Sequence, residues 1–499
     1  MLRLKEAPQR TIRLKILPAH RLIQNAGQWP ESIALADEIT SVSYRSLLHV
    51  VGRVAGELRS RGVQPGSTIS VASADPLVTY ATVLACGLLG AGWVDGRELS
   101  QQQGPVITHA FHTDEVTDPA KNSSPITADW MGTGDGIDFA ELVRGIDPTV
   151  DRPWLYLRSS GTTGTPKFVS LGTEIMDARI RATSAEWAGD RAACVFLFGA
   201  TAAPSLIRAL SATTAGWGLI HSADPSFWRE RRVSRVFGAP AQLDLIFRDA
   251  PKGPKFGKVL AGGGPVSDAQ VRTLFDHFSV VANTYGSTEA NVVFVNECRL
   301  CEDGSVERTT VPGAPEVELV DENGLAVDKG VEGIVRIRGR GVATGYVNNP
   351  EAESGTFKDG WFYPGDLGED RDGVLTITGR FNDILNVGGS KVNAVLVDFA
   401  LMSVPGVRDA ICFTMPSGTG VDELLAFVVT ESGTTPREIL NEARIAALAA
   451  AGSAGPPKRL YGIERVPRSP NGKPDRKACL AIAAAARAEV KKSAQLTSD

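Results

Sequence analysis

Residues 40–100 alternate between short extended segments and helix-like segments, and this alternation constrains the fold more than any other feature of the sequence. RSLLHVVGRVAGELRSRG (45–62) carries apolar residues at helical spacing, whereas STISVAS (67–73) is short and strand-like. The alternation returns at 190–290, where short apolar segments each run into a loop that contains glycine. Strands that alternate with helices build α/β layers around a mostly parallel sheet, so we predict an α/β fold.

The pattern changes after residue 310, and this change predicts the domain organisation. Alternating strands separated by Asn-Gly and Asp-Gly turns indicate an antiparallel layer, and the last hundred residues mix strands with an Ala-rich helix. A chain of 499 residues is too long for one hydrophobic core. We predict a large N-terminal domain of layered α/β subdomains plus a small β-rich part over 1–379, a hinge at 380–382, a small mobile α+β domain over 383–485 and a tail at 486–499.

Charge and composition exclude several classes of function. A net charge of −5 lacks the basic surface that nucleic acid requires, so no nucleic-acid partner is expected. No segment has the length and apolarity of a membrane span. The basic N-terminus lacks the apolar core of a secretion signal, although a transit peptide remains an alternative. Six cysteines are too few for a disulfide framework, which favours the cytoplasm, and the lone pair Cys298 and Cys301 fits chance spacing better than zinc.

The segment YLRSSGTTGTPK (156–167) has the composition of a phosphate-binding loop. It is not a Walker loop, because Pro166 stands where that motif needs glycine and Phe168 where it needs Ser or Thr. It nevertheless offers backbone N–H groups, hydroxyls and one cation, which suit a polyphosphate. These groups belong to Ser159, Ser160, Gly161, Thr162, Thr163, Gly164 and Lys167. Taken alone, a polar surface loop with a solvated lysine explains the segment equally well.

Four further motifs follow in order: NTYGSTEA (283–290), GWFYPGDLG (360–368), GRFNDILNVGGSK (379–391) and SPNGKPDRKACL (469–480). Together with the first loop, this set closely resembles the adenylate-forming superfamily of acyl- and aryl-CoA synthetases, peptide-synthetase adenylation domains and luciferases. The resemblance covers nearly the whole chain. It implies that ATP and Mg²⁺ activate a carboxylic acid to an acyl-adenylate with release of pyrophosphate. The acyl group would then pass to the thiol of coenzyme A or of a carrier-protein phosphopantetheine, with any carrier acting in trans.

The resemblance also assigns a role to each motif. Lys473 corresponds to the catalytic lysine that bridges the carboxylate and the α-phosphate, while residues 159–164 and Lys167 correspond to the site for the β- and γ-phosphates. Glu289 corresponds to the Mg²⁺ ligand. Asp366 corresponds to the aspartate that receives the ribose hydroxyls, with Arg380 as its partner. The adenine and AMP site as a whole corresponds to Gly263, Gly264, Asn283, Tyr285, Gly286, Ser287, Thr288, Asp366 and Arg380.

The C-terminal motifs depart from the family at two places. Asn382 stands at the hinge position, where relatives usually carry Asp or Lys; asparagine tolerates unusual backbone angles, so hinging remains possible. The loop with Gly388, Gly389 and Lys391 corresponds to the tunnel for the thiol arm. It is followed by SKVNAVLVD (390–398), which lacks the Pro and Glu of the usual K-V-x-P-x-E pattern. This second departure weakens the inference of thiol transfer but not that of adenylation.

The resemblance places the acid pocket at Phe198, Gly199, Ala200, Gly238 and Gly262. Relatives that activate amino acids carry an aspartate where Gly199 stands, so an α-amino acid substrate is disfavoured. The segment also lacks the His or Asn that many acyl- and aryl-CoA synthetases carry nearby. Small apolar residues suit an aryl or aliphatic carboxylate, although packing in a core explains them equally well.

Several alternatives stay open from the sequence. The activated acyl group could pass to an amine or hydroxyl instead of a thiol, or the adenylate itself could be released. A luciferase-like oxygenase shares the adenylation step, and a degenerate member would bind nucleotide or a partner without turnover. For Asp366 and Arg380, a purely structural ion pair is the alternative to ribose binding.

Overall fold

The computed structural model describes residues 18–97, 99, 104–117, 119–120, 122–132, 138–142, 144, 146–147, 150–159, 167–380, 384–417, 422–431, 434–468 and 474–496. These residues divide into two compact units. The first unit holds the described residues up to 159, from 167 to 233 and from 343 to 349. The second holds those from 234 to 342 and from 350 onwards.

The first unit contains the first seven helices and ten strands in chain order. Its helices are α1 (Pro18–Gln28), α2 (Tyr44–Ser60), α3 (Pro76–Leu89), α4 (Phe139–Leu142), α5 (Thr173–Thr183), α6 (Ala203–Thr214) and α7 (Pro225–Glu230), with 3-10 turns at Ala128–Met131 and Ser184–Trp187. Its strands are β1 (Ile33–Ala36), β2 (Ser41–Ser43), β3 (Thr68–Ala72), β4 (Gly92–Asp95), β5 (His109–His112), β6 (Ser123–Pro125), β7 (Pro153–Ser159), β8 (Lys167–Gly172), β9 (Ala193–Phe196) and β10 (Gly218–Ile220).

The strands of the first unit confirm the predicted α/β class. One sheet has the order β6-β5-β3-β4-β7-β8 and is parallel except for the antiparallel β7–β8 pair. Strands β9, β10 and β1 are also parallel neighbours. Helix α3 is apolar on all sides and buried along nearly its whole length. Its ends are well defined, because the Asp75 side chain accepts a hydrogen bond from the Leu77 N–H and Gly90 closes the helix in the left-handed region.

The second unit contains the remaining elements. Its helices are α8 (Pro240–Phe247), α9 (Asp268–His277), α10 (Pro350–Ser354), α11 (Ala394–Met402), α12 (Leu440–Ala451) and α13 (Arg476–Leu496). Its strands are β11 (Val233–Gly238), β12 (Phe256–Gly262), β13 (Phe278–Ser287), β14 (Asn291–Leu300), β15 (Val306–Pro312), β16 (Glu316–Val320), β17 (Gly333–Arg338), β18 (Phe357–Lys358), β19 (Trp361–Phe362), β20 (Asp366–Arg371), β21 (Val374–Arg380), β22 (Ile384–Val387), β23 (Ser390–Asn393), β24 (Val407–Pro416), β25 (Asp422–Thr430) and β26 (Arg459–Gly462).

Strands β11, β12 and β13 of the second unit are parallel neighbours, and β14 and β15 continue this sheet antiparallel. The antiparallel layer predicted beyond residue 310 is present in β16, β17, β20 and β21. Its β20–β21 hairpin turns at Asp372 and Gly373, which both have positive φ. An Asp-Gly pair tolerates these angles, which explains why the sequence signal was reliable here.

The last part of the chain is an α+β arrangement around β24 and β25. Alternate residues of β24 enter two apolar clusters: Ala410 and Cys412 pack with α11 and α12, whereas Ile411 and Phe413 pack with residues of α13. Helix α13 runs to Leu496, so most of the segment expected to be a tail is helical. Its Ala-rich sequence contains neither Gly nor Pro, which favours a long helix. Among the described helices, none combines the length and apolarity needed to cross a bilayer.

Candidate active site

An aspartate, an arginine and a tyrosine meet at the ends of three strands in the second unit. Asp366 begins β20 and lies in register with Arg380, the last residue of β21. The Nε of Arg380 donates to Oδ1 of Asp366 at 2.7 Å. The hydroxyl of Tyr285, on β13, donates to the other carboxylate oxygen of Asp366. The structure therefore brings these three predicted site residues together, with the Asp366 residue only 3% exposed.

The electrostatics of this cluster keep the Tyr285 hydroxyl protonated. Burial raises the pKa of Tyr285 well above its ordinary value, the negative charge of Asp366 raises it further, and Arg380 opposes both. The hydroxyl therefore remains a donor. A carboxylate has two acceptor oxygens, which is the chemical match for a vicinal diol.

The glycines after β12 lie beside Asn283 on β13. The Asn283 amide donates to the carbonyl oxygens of Ala261 and Gly264, at 3.0 Å each, and so fixes the turn between them. Gly263 in that turn has φ +80°, which favours glycine. The Tyr285 ring packs against Phe294 with 5.1 Å between centroids. This arrangement offers backbone groups and an aromatic surface at one end of the sheet, as an adenine site requires.

The turn at 286–290 follows directly. A Cβ on Gly286 would come within 2.1 Å of the Asn291 carbonyl oxygen, so the close approach of the two strands needs glycine. Ser287 accepts a hydrogen bond from the Ala290 N–H, and Thr288 lies in the same turn. Glu289 is 6% exposed.

Glu289 fits the donor chemistry of a magnesium site only in part. Mg²⁺ is commonly held by one or two carboxylates while substrate phosphates and water supply the other ligands. Among the described residues, no group of three or more potential metal-binding side chains converges. The Glu289 carboxylate is a ligand of the kind that Mg²⁺ prefers.

The two ends of the predicted phosphate loop lie on a hairpin of the first unit. Ser159 ends β7, is 5% exposed, and stands opposite Lys167, which begins β8. The Lys167 ammonium lies over the Tyr346 ring, 5.0 Å from its centroid. Tyr346 in turn forms a β-bridge with Val169. The loop residues themselves lie outside the described residues: Ser160, Gly161, Thr162, Thr163 and Gly164.

Residues predicted to line the acid pocket occur in both units. In the first, Phe198, Gly199 and Ala200 form the turn between β9 and α6, where the Ser205 hydroxyl donates to the Phe198 carbonyl. A Cβ on Gly199 would meet no heavy atom within 4 Å. In the second unit, Gly238 and Gly262 end the adjacent parallel strands β11 and β12.

The predicted thiol loop is a tight hairpin between β22 and β23. Gly388 and Gly389 both have positive φ, and the Asn386 side chain accepts from the Gly389 N–H at 2.9 Å. Lys391 is exposed on β23. The predicted catalytic Lys473 and hinge residue Asn382 lie outside the described residues.

Sequence reasoning missed three contacts at these sites. The sequence did not single out Tyr346, whose ring lies beneath the Lys167 ammonium. Arg97 was also missed; its Nη2 donates to the Thr201 hydroxyl at 2.8 Å and to Asp95 at 2.7 Å. The contacts of Lys167 with Tyr346 and of Arg97 with Thr201 join residues far apart in the chain, so no local pattern signals them.

Comparisons with known proteins identify the family of the chain. Residues 97–347 match the family model described as AMP-binding enzyme. The chain is 27% identical over 445 residues to a feruloyl-CoA synthase of an Amycolatopsis species, covering 82% of this chain and 88% of that protein. It is 31% identical over 350 residues to a medium/long-chain-fatty-acid–CoA ligase of Mycobacterium tuberculosis, covering 64% and 59%.

A solved structure confirms the fold over most of the chain. The O-succinylbenzoate coenzyme A synthetase of Bacillus subtilis, in complex with AMP, aligns with a TM-score of 0.74 at 19% identity, covering 92% of this chain and 97% of that one. At this identity the likeness establishes the fold alone. The family model, by contrast, matches half of the sequence directly, including Lys167, Tyr285 and Glu289. The chain belongs to the AMP-binding enzyme family.

Proposed function

We propose that this protein converts an apolar carboxylic acid, aryl or aliphatic, into its coenzyme A thioester in two steps. In the first, a carboxylate oxygen attacks the α-phosphorus of ATP and pyrophosphate leaves. In the second, the thiol sulfur attacks the acyl carbon of the adenylate, AMP leaves, and the thiol proton is released. Membership of the AMP-binding enzyme family makes the chain an ATP-using, AMP-forming enzyme. A cytoplasmic location is part of the proposal and rests on the sparse cysteines of the sequence.

The observation that carries the proposal is the Asp366 carboxylate, which Arg380 and Tyr285 hold in one orientation. A fixed, buried carboxylate with two acceptor oxygens is the chemical match for the two ribose hydroxyls of a nucleotide. The Tyr285 ring would stack on adenine, and Asn283 would keep the backbone of Gly263 and Gly264 in place beside it.

The phosphate end of ATP needs positive charge and hydrogen-bond donors. Ser159 and Lys167 would contribute to the site for the β- and γ-phosphates, with the hydroxyls and N–H groups of residues 160–164. Mg²⁺, held by Glu289, would neutralise phosphate charge when the nucleotide is bound. Lys473 would lie between the carboxylate and the α-phosphate, where two anions must approach each other; at an effective dielectric constant near 20, a cation about 4 Å from an anion is worth roughly 4 kcal/mol.

The acid is proposed to be apolar because no charged side chain stands at the position of Gly199, and a Cβ there would find open space. An α-amino acid would leave its ammonium group without a carboxylate partner at this position. The names of two relatives, a feruloyl-CoA synthase and a fatty-acid–CoA ligase, support an aryl or aliphatic acid without choosing between them.

The acceptor is proposed to be coenzyme A, as in those two relatives. A carrier-protein phosphopantetheine acting in trans would present the same thiol. The sequence lacks the Pro and Glu expected at 394 and 396, but Ala394 still begins helix α11, because the Asn393 side chain caps it by accepting from the Val395 N–H. The backbone after the thiol loop is therefore helical even without the Pro and Glu of the family pattern.

Acid-dependent ATP–pyrophosphate exchange tests the proposal. The panel contains aryl, short-chain, long-chain and α-amino acids, with Lys473→Ala as the control. Exchange with one apolar class that collapses in the control would support adenylation and name the acid. Release of AMP with coenzyme A, compared with a carrier protein or an amine, would then identify the acceptor. Exchange only with amino acids would contradict the assignment of the pocket. No exchange across the panel, from protein that binds ATP, would contradict the function.

A further inference from the structure

Two arginine–aspartate ion pairs flank the segment that contains Lys473. On its N-terminal side, Arg468 Nη2 donates to both carboxylate oxygens of Asp409, at 2.9 and 2.8 Å. On its C-terminal side, Arg476 Nη2 donates to Asp398 Oδ2 at 2.7 Å. Residues 469–473 lie between the two pairs and outside the described residues.

Backbone contacts join the residues on either side of this segment, 467–468 and 474–475, which we call its base. Arg468 and Pro474 form an antiparallel β-bridge, and the Asp475 N–H donates to the Pro467 carbonyl at 2.9 Å. Arg468 and Pro474, which border residues 469–473 in the sequence, therefore lie side by side. Pro474 is the residue that follows Lys473 in the sequence.

Both ion pairs connect this base to the same strand. Asp409 lies on β24, and Arg476 Nη1 donates to the carbonyl of Cys412, three residues further along β24, at 2.9 Å. The Cys412 N–H donates to Asp398 Oδ1 at 2.6 Å, which ties α11 into the same contact. Asp398 is 5% exposed, so this second pair is shielded from water.

Attachment by ion pairs suits a requirement for geometry as well as for stability. The β24–β25 sheet already has an apolar cluster on each face. Apolar residues could fasten α13 at least as well, because a buried ion pair often adds little net stability over well-packed hydrophobic residues. Arg468 instead donates to both carboxylate oxygens of Asp409, and Arg476 donates to Asp398 and to the Cys412 carbonyl. Such paired contacts fix direction as well as distance.

We propose that Asp409–Arg468 and Asp398–Arg476 are positioning pairs for the adenylation step, which hold the base of the 469–473 segment so that Lys473 reaches the reacting phosphate. This inference rests on the proposed function, because it assigns the pairs to the step in which Lys473 acts. In the second step a thiol attacks an acyl carbon and no bond to phosphorus forms. The pairs are therefore needed for adenylation and not for thioester formation from a preformed acyl-adenylate.

The test compares Asp409→Asn and Asp398→Asn with Glu318→Gln. Glu318 pairs with Arg336 in the same unit, and its pair is about as buried as Asp409–Arg468, which makes it a matched control. Each variant is assayed for ATP–pyrophosphate exchange, for thioester formation from synthetic acyl-adenylate and coenzyme A, and for thermal unfolding. Each substitution is also combined with Lys473→Ala.

The two aspartate variants should lose roughly tenfold to hundredfold in the rate constant of exchange, since small displacements of a catalytic group cost rates of this size. Their KM for ATP and the rate of thioester formation should stay within about threefold of the unaltered protein. In the Lys473→Ala background, the further loss should shrink to less than about twofold, because the group being positioned is gone.

Three outcomes would overturn the inference. Exchange equal to that of Glu318→Gln would show that the pairs do not position the lysine. Equal losses in both half-reactions, together with a lower melting temperature, would show a structural role only. Full additivity with Lys473→Ala would exclude action through that residue. Absence of exchange in the unaltered protein is distinguishable from all three, because it would remove the proposed function itself and the inference with it.

Discussion

The Nε of Arg380 donates to Oδ1 of Asp366 at 2.7 Å across two strands that pair in register. The contact leaves the Asp366 carboxylate buried and held in one orientation. Because Tyr285 donates to the second oxygen, the carboxylate is oriented before any nucleotide binds. Preorganisation of this kind reduces the entropic cost of binding, and it makes the aspartate a good first target for mutation.

Replacing Asp366 with asparagine should weaken AMP binding. The substitution removes the charge and leaves one acceptor oxygen for the ribose. Hydrogen bonds to a charged group contribute about 1.5–3 kcal/mol, so the Kd for AMP should rise roughly tenfold to hundredfold. Isothermal titration calorimetry measures this directly, with Tyr285→Phe as the comparison that removes only the hydroxyl. If Asp366→Asn binds AMP as tightly as the unaltered protein, the pair is structural.

Replacing Tyr346 should reveal whether its ring holds Lys167 for ATP. A cation over an aromatic ring is stabilised by about 0.5–1 kcal/mol at an exposed site, so Tyr346→Leu should raise the KM for ATP roughly twofold to fivefold. Tyr346→Phe keeps the ring and should behave like the unaltered protein. The measurement is the ATP dependence of pyrophosphate exchange. Equal effects of the two variants would point to the hydroxyl instead.

Two glycine-to-alanine substitutions should differ clearly in their effect on the free energy of unfolding. At Gly286 a Cβ would press on the backbone oxygen of Asn291, so Gly286→Ala should lower the free energy of unfolding by roughly 1–3 kcal/mol and weaken AMP binding. At Gly199 the space is open, so Gly199→Ala should change stability by less than about 0.5 kcal/mol. Denaturant unfolding compares the two. An unstable Gly199→Ala would contradict the open site described here.

The contrast between these sites shows what the sequence could predict. Asp366 and Arg380 lie nearly equidistant from the Asp372–Gly373 turn, so the hairpin that pairs them follows from local turn chemistry and alternation. The contacts of Tyr346 with Lys167 and of Asp398 with Arg476 join distant segments of the chain. They depend on how strands and helices pack, which local periodicity does not encode. The motifs therefore predicted residues that the structure brings together, such as Asp366 and Arg380, but not the residues that support them.

Asp398 should make stability fall as the pH rises. Burial raises the pKa of Asp398 to about 6, against the opposing effect of Arg476, from its ordinary value of 3.8. Between these values the folded protein binds a proton more tightly than the unfolded chain, so the contribution is fully present below about pH 4 and lost by about pH 6. Its size is on the order of 3 kcal/mol. Asp398→Asn should lack this component when denaturant unfolding is followed against pH.

His221 should have the opposite effect over a similar range. Burial lowers the pKa of His221 to about 4, while Asp37 opposes the shift. The imidazole is neutral in the folded protein but takes up a proton in the unfolded chain as the pH falls below its ordinary value of 6.5. Its contribution to stability is therefore present above about pH 6.5 and lost towards pH 4.

Replacing His221 with a residue that does not titrate should reveal its contribution to the pH dependence of stability. In His221→Asn the loss between about pH 6.5 and 4 should disappear, which makes the pH dependence of unfolding shallower on the acid side by on the order of 3 kcal/mol. The Asp398→Asn variant serves as the control, because it should steepen the same limb by removing a component of opposite sign. If both substitutions change the acid limb in the same direction, one of the two groups is not buried as the structure shows it. NMR titration of the His221 ring would then identify which.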